Sequence, residues 1–147
     1  MKIIVDGDGC PSRNIIEKVA KKNNVDVTIF CDINHYIVSE YSEVIVVDSG
    51  FQSVDISLIN KTKSNDLVIT QDYGLAAMAL GKKAFAINPK GYIYNEDNID
   101  DLLLKRHVSQ KMRKAGLKTS NPKKRSVEDD VRLEKNLNRI IKDHIKN

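Results

Sequence analysis

The chain has 147 residues, 24 Lys+Arg, 20 Asp+Glu and a formal net charge of +4, a length that suits one domain and buries about two-thirds of the unfolded surface. No apolar run approaches the ~20 residues of a membrane span, and Asp6 and Asp8 interrupt the N-terminal apolar run as no signal peptide allows, so a cytoplasmic protein without membrane contact is expected. Cys10 and Cys31 are too few for a disulfide framework and lack zinc-ligand spacing, so both read as reduced thiols.

Ile3-Ile4-Val5 reads as a buried parallel strand that runs into Asp6-Gly7-Asp8-Gly9-Cys10-Pro11. In open α/β sheets ligands bind beyond the carboxyl ends of the strands, which places Asp6 and Asp8 in that crevice. The glycines are expected to turn the backbone sharply and leave room for a ligand, with Pro11 at the first helical position; a helix cap at Asp8 is the plainer alternative. Pro11–Asn23 puts Ile15, Ile16, Val19 and Ala20 on one helical face. Further apolar runs follow at Val25–Phe30, Glu43–Val47, Leu67–Thr70 and Ala84–Ile87, with helices over Ser53–Asn60 and Tyr73–Gly81, while 33–42 is ambiguous. Strands alternating with short helices predict a three-layer α/β/α sandwich with a mainly parallel sheet of about five strands.

Asn88-Pro89-Lys90-Gly91 is a turn-forming cluster. A longer helix is expected from near Asn98 to Ala115-Gly116, with Ile99, Leu102, Leu103 and Met112 inward. Leu117–Arg125 reads as a linker or a phosphate-facing loop. Ser126 then caps a last helix whose stripe of Val131, Leu137, Ile140, Ile141 and Ile145 must pack on the body or on another subunit. The expected division is an α/β domain over 1–114 with a basic linker and helix over 115–147 packed on it; a homo-oligomer stays open.

Charge is unevenly placed along this plan. Residues 1–104 carry 10 basic and 15 acidic side chains, residues 105–125 carry nine basic and none acidic, and residues 126–147 carry five of each. An acidic body joined to a concentrated basic segment predicts that the body holds cations and the segment meets a polyanion; a solvated helix end is the alternative.

Other carboxylates fall at the same edge. Asp72 follows the fourth strand, Asp48 the third, and Asp55 lies in the first turn of the next helix. Asp66 precedes its strand, so the extended residues between put it on the opposite edge, as a turn residue. Convergence of Asp6, Asp8, Asp55 and Asp72 would raise their pKa values unless a cation neutralised them. All-oxygen ligands favour Mg²⁺ or Mn²⁺ over Zn²⁺, and such an ion can activate water for attack on phosphorus. These four are the expected metal ligands, with Asp6, Asp8 and Asp72 the catalytic set. Ser49, Thr70, Gln71 and Asn88 end strands and are placed to orient water or substrate, or to satisfy loop amides. Lys90, Arg113, Lys114, Lys118 and Lys124 are expected to position a polyanion through phosphate contacts, and Tyr73, Tyr92 and Tyr94 to offer rings for stacking. His35 can reach the crevice; His107 and His144 lie on helices and read as exposed. No glycine-rich phosphate fingerprint or nucleophile elbow is present.

Asp-Gly-Asp-Gly-Cys-Pro at 6–11, Asp-Ser-Gly-Phe-Gln-Ser-Val-Asp at 48–55, Asp-Leu-Val-Ile-Thr-Gln-Asp-Tyr-Gly-Leu-Ala at 66–76 and Asn-Pro-Lys-Gly at 88–91 together resemble the YaiI/YqxD family of largely uncharacterised bacterial proteins. Arg113-Lys114-Ala115-Gly116 and Ser-Val-Glu-Asp-Asp at 126–130 resemble its C-terminal pattern. The resemblance implies a PIN-like domain, a fold whose better-known members are metal-dependent ribonucleases, with Asp6, Asp8 and Asp72 matching the acidic site and Asp55 a third contributor. The chain departs from that pattern in lacking a clear glutamate on the central helices. The expected activity is a Mg²⁺- or Mn²⁺-dependent phosphodiesterase acting on RNA or, as the less favoured substrate, DNA. The alternatives are a non-catalytic RNA-binding or ribosome-associated module and, less favoured, an aspartyl phosphatase using Asp6 as nucleophile.

Overall fold

The order of the strands decides where the carboxylates meet. A computed structural model describes residues 1–8, 10–48, 53–119 and 123–145; Gly9 and Ser49, the latter an expected substrate contact, lie outside the described residues. The chain runs β1 (Ile3–Asp6), α1 (Arg13–Asn23), β2 (Val27–Asp32), β3 (Glu43–Val47), α2 (Val54–Lys61), β4 (Leu67–Ile69), α3 (Tyr73–Gly81), β5 (Phe85–Ile87), β6 (Ile93–Tyr94), α4 (Glu96–Lys114) and α5 (Val127–Ile145). A single 3-10 turn, Ile33–His35, fills part of the ambiguous 33–42 stretch. The sheet order is β3-β2-β1-β4-β5-β6. Strands β1 to β5 are parallel to their neighbours, and β6 is antiparallel to β5.

The described sheet thus has six strands rather than about five. The added strand, Ile93–Tyr94, has two residues, too short to show an alternating pattern. It is paired because the turn at 88–91 folds back as a hairpin, with Asn88 N–H donating to Tyr92 O and Gly91 N–H to Asn88 O, both at 2.8 Å.

Alternating side chains of the central strands feed two apolar layers. Ile3, Val5, Val27, Ile29, Leu67 and Ile69 pack with Ile16, Val19 and Ala20 of α1 and with Leu133, Leu137 and Ile141 of α5. Ile4, Phe30, Val68 and Ala86 pack on the other face with Leu58 of α2, Leu75, Ala76 and Ala79 of α3 and Ile99 of α4. The result is the three-layer α/β/α sandwich, with α1 and α5 on one side and α2, α3 and α4 on the other.

Several local readings shift. Helix α1 starts at Arg13 with Ser12 at its N-cap, so Pro11 precedes the cap instead of occupying the first helical position. Asn95 caps α4 and exchanges a capping box with Asn98, whose side chain returns to the Asn95 N–H, so that helix begins before Asn98. Met112 is exposed: the inward face runs from Ile99 through Leu102 and Leu103 to Arg106, while Leu104, Val108 and Met112, four residues apart, share the solvent side. On α5 the buried stripe is Leu133, Leu137 and Ile141, with Ile140 half-buried. Val131 is exposed because it lies two residues out of phase with Leu133.

Helix α5 is seated on the turn at 88–91. Asn136 Nδ2 donates to Gly91 O at 2.7 Å, Arg132 Nη1 to Lys90 O at 3.0 Å and Arg125 Nη1 to Pro89 O at 2.8 Å. Gly91 has φ +91°, and a Cβ there would lie 2.5 Å from the Leu133 backbone nitrogen. A glycine is therefore required by both conformation and contact. Ser126 and Asp129 close a capping box at the start of α5: the Ser126 N–H donates to Asp129 Oδ2 at 3.0 Å, and the Asp129 N–H to Ser126 Oγ at 3.4 Å. No helix among the described residues is long and apolar enough to cross a membrane.

Candidate functional site

Strand β1 lies between β2 and β4, so the sheet order reverses at β1/β4. That reversal is a topological switch point, where a crevice opens beyond the carboxyl ends of the strands. Asp6 ends β1, and Thr70 and Asp72 follow β4. Thr70 is fully buried and ties the two carboxylates together: its Oγ1 donates to Asp6 Oδ2 at 2.9 Å and accepts from the Asp72 N–H at 3.0 Å. Its carbonyl accepts from Tyr94 Oη at 3.1 Å. Asp72 caps α3, with Oδ1 accepting from the Gly74 and Leu75 amides at 2.8 and 3.3 Å.

The same Asp72 Oδ1 takes a third contact from Arg106 Nη1 at 3.0 Å. Arg106 was not among the expected site residues. Its signal was its spacing, three and four residues after Leu103 and Leu102 on the inward face of α4. Asp8 pairs loosely with His35 Nδ1 at 3.9 Å, and Asp8 Oδ1 is buried without a hydrogen-bond donor among the described residues.

The carboxylates act on one another. Burial pushes the Asp6 carboxyl up to about 6; the Thr70 hydrogen bond opposes this, and the charges of Asp55, Asp8 and Asp72 add to it. Asp55 is raised too, by burial first, then by the Asp72 charge and a hydrogen bond that a protonated Asp55 makes to Asp72, with Arg106 opposing. Four acidic groups from the ends of β1 and β4 and the start of α2 thus share one field. Among the described residues, however, no three of them approach closely enough to form a ready three-ligand metal centre.

Asp8 also borders an open groove of about 1110 Å³. Gln71, Asn88, Lys90, Tyr73 and Tyr92 line it, as do Arg13, Lys123 and Arg125, three cations that sequence reasoning did not single out. Asn88 is committed to the fold: its Oδ1 accepts from the Lys90 N–H at 2.7 Å and its Nδ2 donates to Tyr94 Oη at 3.0 Å. The Tyr94 phenol is buried and pushed up to about 12, and its ring packs edge-on against Tyr73. Arg113, Lys114, Lys118 and Lys124 are exposed outside the lining of the groove, and Arg113 Nε donates to Thr119 Oγ1. Asp66 is a turn residue, its carboxylate accepting from the Lys2 and Lys63 amides. Asp48 is exposed at the end of β3, and His107 is exposed on α4. His144 is half-buried, edge-on to Phe85.

Gly7 does not make room for a ligand. A Cβ there would lie 2.7 Å from the Phe30 carbonyl and 2.8 Å from Ile37 Cδ1, so the space is filled by the protein itself.

A sequence profile of the family described as "Uncharacterized BCR, YaiI/YqxD family" matches residues 4–143. The chain belongs to the YaiI/YqxD family. A UPF0178 protein of Clostridium novyi is 62% identical over 141 residues, covering 96% of this chain and 95% of the relative. UPF0178 proteins of Clostridium tetani and Lachnoclostridium phytofermentans are 60% and 46% identical, over 93% and 97% of this chain. Among solved structures, Rae1 (YacP) from Bacillus subtilis, as its W164L mutant, overlaps with 79% of this chain and 84% of its own at a TM-score of 0.45 and 16% identity. The YaiI/YqxD motifs at 6–11, 66–76 and 88–91 fall on the switch point and on the turn that seats α5.

Proposed function

We propose that this YaiI/YqxD protein is a Mg²⁺- or Mn²⁺-dependent phosphodiesterase of the cytoplasm acting on nucleic acid, RNA before DNA. The observation that carries the reading is the gathering of four carboxylates at the switch point, where burial first and then their mutual charge raise Asp6 and Asp55, with Arg106 on Asp72. Carboxylates gathered in a crevice and perturbed by burial and by one another support a functional-site reading.

The donor set suits a hard cation. All four groups offer oxygen, and Asp8 Oδ1 is buried with no donor among the described residues. Mg²⁺ keeps several waters and is commonly held by one or two carboxylates together with substrate phosphate, so a site without a ready three-ligand cage fits it. Asp6 and Asp8 would hold the ion, with Asp55 and Asp72 beside it. When bound, the ion supplies charge neutralisation and a water of lowered pKa for attack on phosphorus. Thr70 fixes the Asp6 carboxylate in place, and Arg106 offers its remaining N–H groups to a phosphate oxygen at the Asp72 side. Lys90 faces the groove through which a strand would reach these groups.

The contact of Arg106 with Asp72 favours a second reading, in which the acidic site is neutralised internally and the protein binds RNA without turnover. One experiment separates them. Wild type and the Asp6→Asn/Asp72→Asn variant are incubated with labelled single-stranded RNA and Mn²⁺, with and without EDTA, and cleavage and retention are read together. Metal-dependent cleavage by wild type alone is expected; retention without cleavage by both proteins would transfer the reading to a binding module.

A further inference from the structure

We propose that the wall of the groove built by the turn at 88–91 and the segment entering α5 is a phosphate-binding subsite, formed by Lys90 and Arg125 with Lys123 and Arg13 beside them. It rests on the reading of the groove as the path of a phosphodiester strand, but it does not depend on turnover.

The subsite is built rather than incidental. Arg125 is clamped from two sides, Nε donating to Asp130 Oδ1 at 2.7 Å and Nη1 to Pro89 O at 2.8 Å. Its third nitrogen, Nη2, is buried and has no acceptor among the described residues. A buried cationic donor without an acceptor is costly, and one oxygen of a phosphate at Nη2 would supply that acceptor as a charge-assisted hydrogen bond. Lys90 is held as well: its N–H is bonded to Asn88, its carbonyl to Arg132, and its Nζ lies 2.9 Å from the Lys123 carbonyl. That acceptor is neutral, and among the described residues no carboxylate stands within ion-pairing distance of Lys90, Lys123 or Arg13. Their charge is therefore free to act on the groove.

Position links the subsite to the acidic site. Asp8, one of the four carboxylates, lines the same groove as Lys90 and Arg125. A phosphate held by Lys90 and Arg125 would accordingly belong to the same strand as the phosphate at the carboxylates, either as a neighbouring diester or as a terminal monoester. The groove is also larger than the ~300–1,000 Å³ typical of small-molecule pockets, which suits a length of polymer.

The test measures binding in EDTA, where no turnover occurs, using short single-stranded RNA carrying a 5′-phosphate or a 5′-hydroxyl and a 3′ fluorophore. Lys90→Gln is the primary variant, because among the described residues its ammonium donates only to the Lys123 carbonyl and its loss spares the fold. Arg125→Lys, which keeps the charge and removes the two-point clamp, is the second, and Lys22→Gln and Lys142→Gln outside the groove are the controls. Lys90→Gln is expected to weaken binding about tenfold and to lower the salt slope by about 0.7, with the controls unchanged. Tighter binding of the 5′-phosphate, lost in Lys90→Gln, would identify a terminal monoester, whereas equal loss on both RNAs would identify an internal diester. If Lys90→Gln and Arg125→Lys weaken binding no more than the controls do, the subsite is refuted. Absence of cleavage alongside intact Lys90-dependent binding would refute only the phosphodiesterase.

Discussion

Asp6→Asn should make the metal-free protein more stable at neutral pH, although it removes a charge at the heart of the site. Burial and three neighbouring carboxylates raise Asp6 from 3.8 to about 6. Between those values the folded chain binds more protons than the unfolded one, so stability falls as pH rises through this window and levels off above it. A shift of about two units corresponds to about 3 kcal/mol at ~1.36 kcal/mol per unit, which solvent at the half-buried carboxylate reduces to about 1–3 kcal/mol. Asparagine keeps an acceptor for Thr70 Oγ1 and lacks the charge. In EDTA at pH 8 its melting temperature should exceed that of wild type by about 2–12 °C, at the ~2–4 °C per kcal/mol of a chain this size, and the gain should vanish near pH 4. Thermal melts of both proteins from pH 4 to 8 give the comparison. A destabilised Asp6→Asn at pH 8, or a gain independent of pH, would refute the argument that like charge and burial set this site.

Thr70→Val leaves the Asp72 N–H without its acceptor and Asp6 without its donor, so it should cost about 1–3 kcal/mol and push the Asp6 carboxyl further up; an unchanged carboxyl titration by NMR would refute the bridging role. Gly91→Ala meets the Leu133 backbone at 2.5 Å with φ +91° and should cost more than about 3 kcal/mol, read by urea unfolding; a stable variant would refute the seat of α5. Arg106→Gln removes a partly exposed ion pair and should cost only about 0–1 kcal/mol, while the Asp55 carboxyl rises because the opposing charge of Arg106 is gone. A loss above about 3 kcal/mol would show that Arg106 is instead a structural keystone of α4.

The apolar runs at Ile3–Val5 and Leu67–Ile69 and the carboxylates behind them were legible in the sequence because a buried parallel strand and its βα turn are local patterns. The caps at Ser53 and Ser126 belong to that same local chemistry, whereas the cap that Asp72 forms on α3 was not read from the sequence. Contacts made across the chain were not legible. Nothing local says that β1 lies beside β4, that Thr70 bridges Asp6 to Asp72, or that Arg106 reaches Asp72 from 34 residues away. Gly7 and Gly91 read as turn glycines, yet tertiary contact decides what each is for: Gly7 admits Ile37 and the Phe30 carbonyl, and Gly91 admits the backbone of α5. The basic segment at 105–125 showed in composition, but the composition could not say which cations face the groove. That choice fell to Lys90, Lys123, Arg125 and Arg13 because the turn at 88–91 and α5 lock together. The sequence by itself determined the longer elements, though not the two-residue β6, and the edge of the sheet on which the acids stand, since both follow from periodicity and capping within a few residues. The tertiary structure alone decided which charges share a field, since that depends on strand order and helix packing between residues distant in the chain.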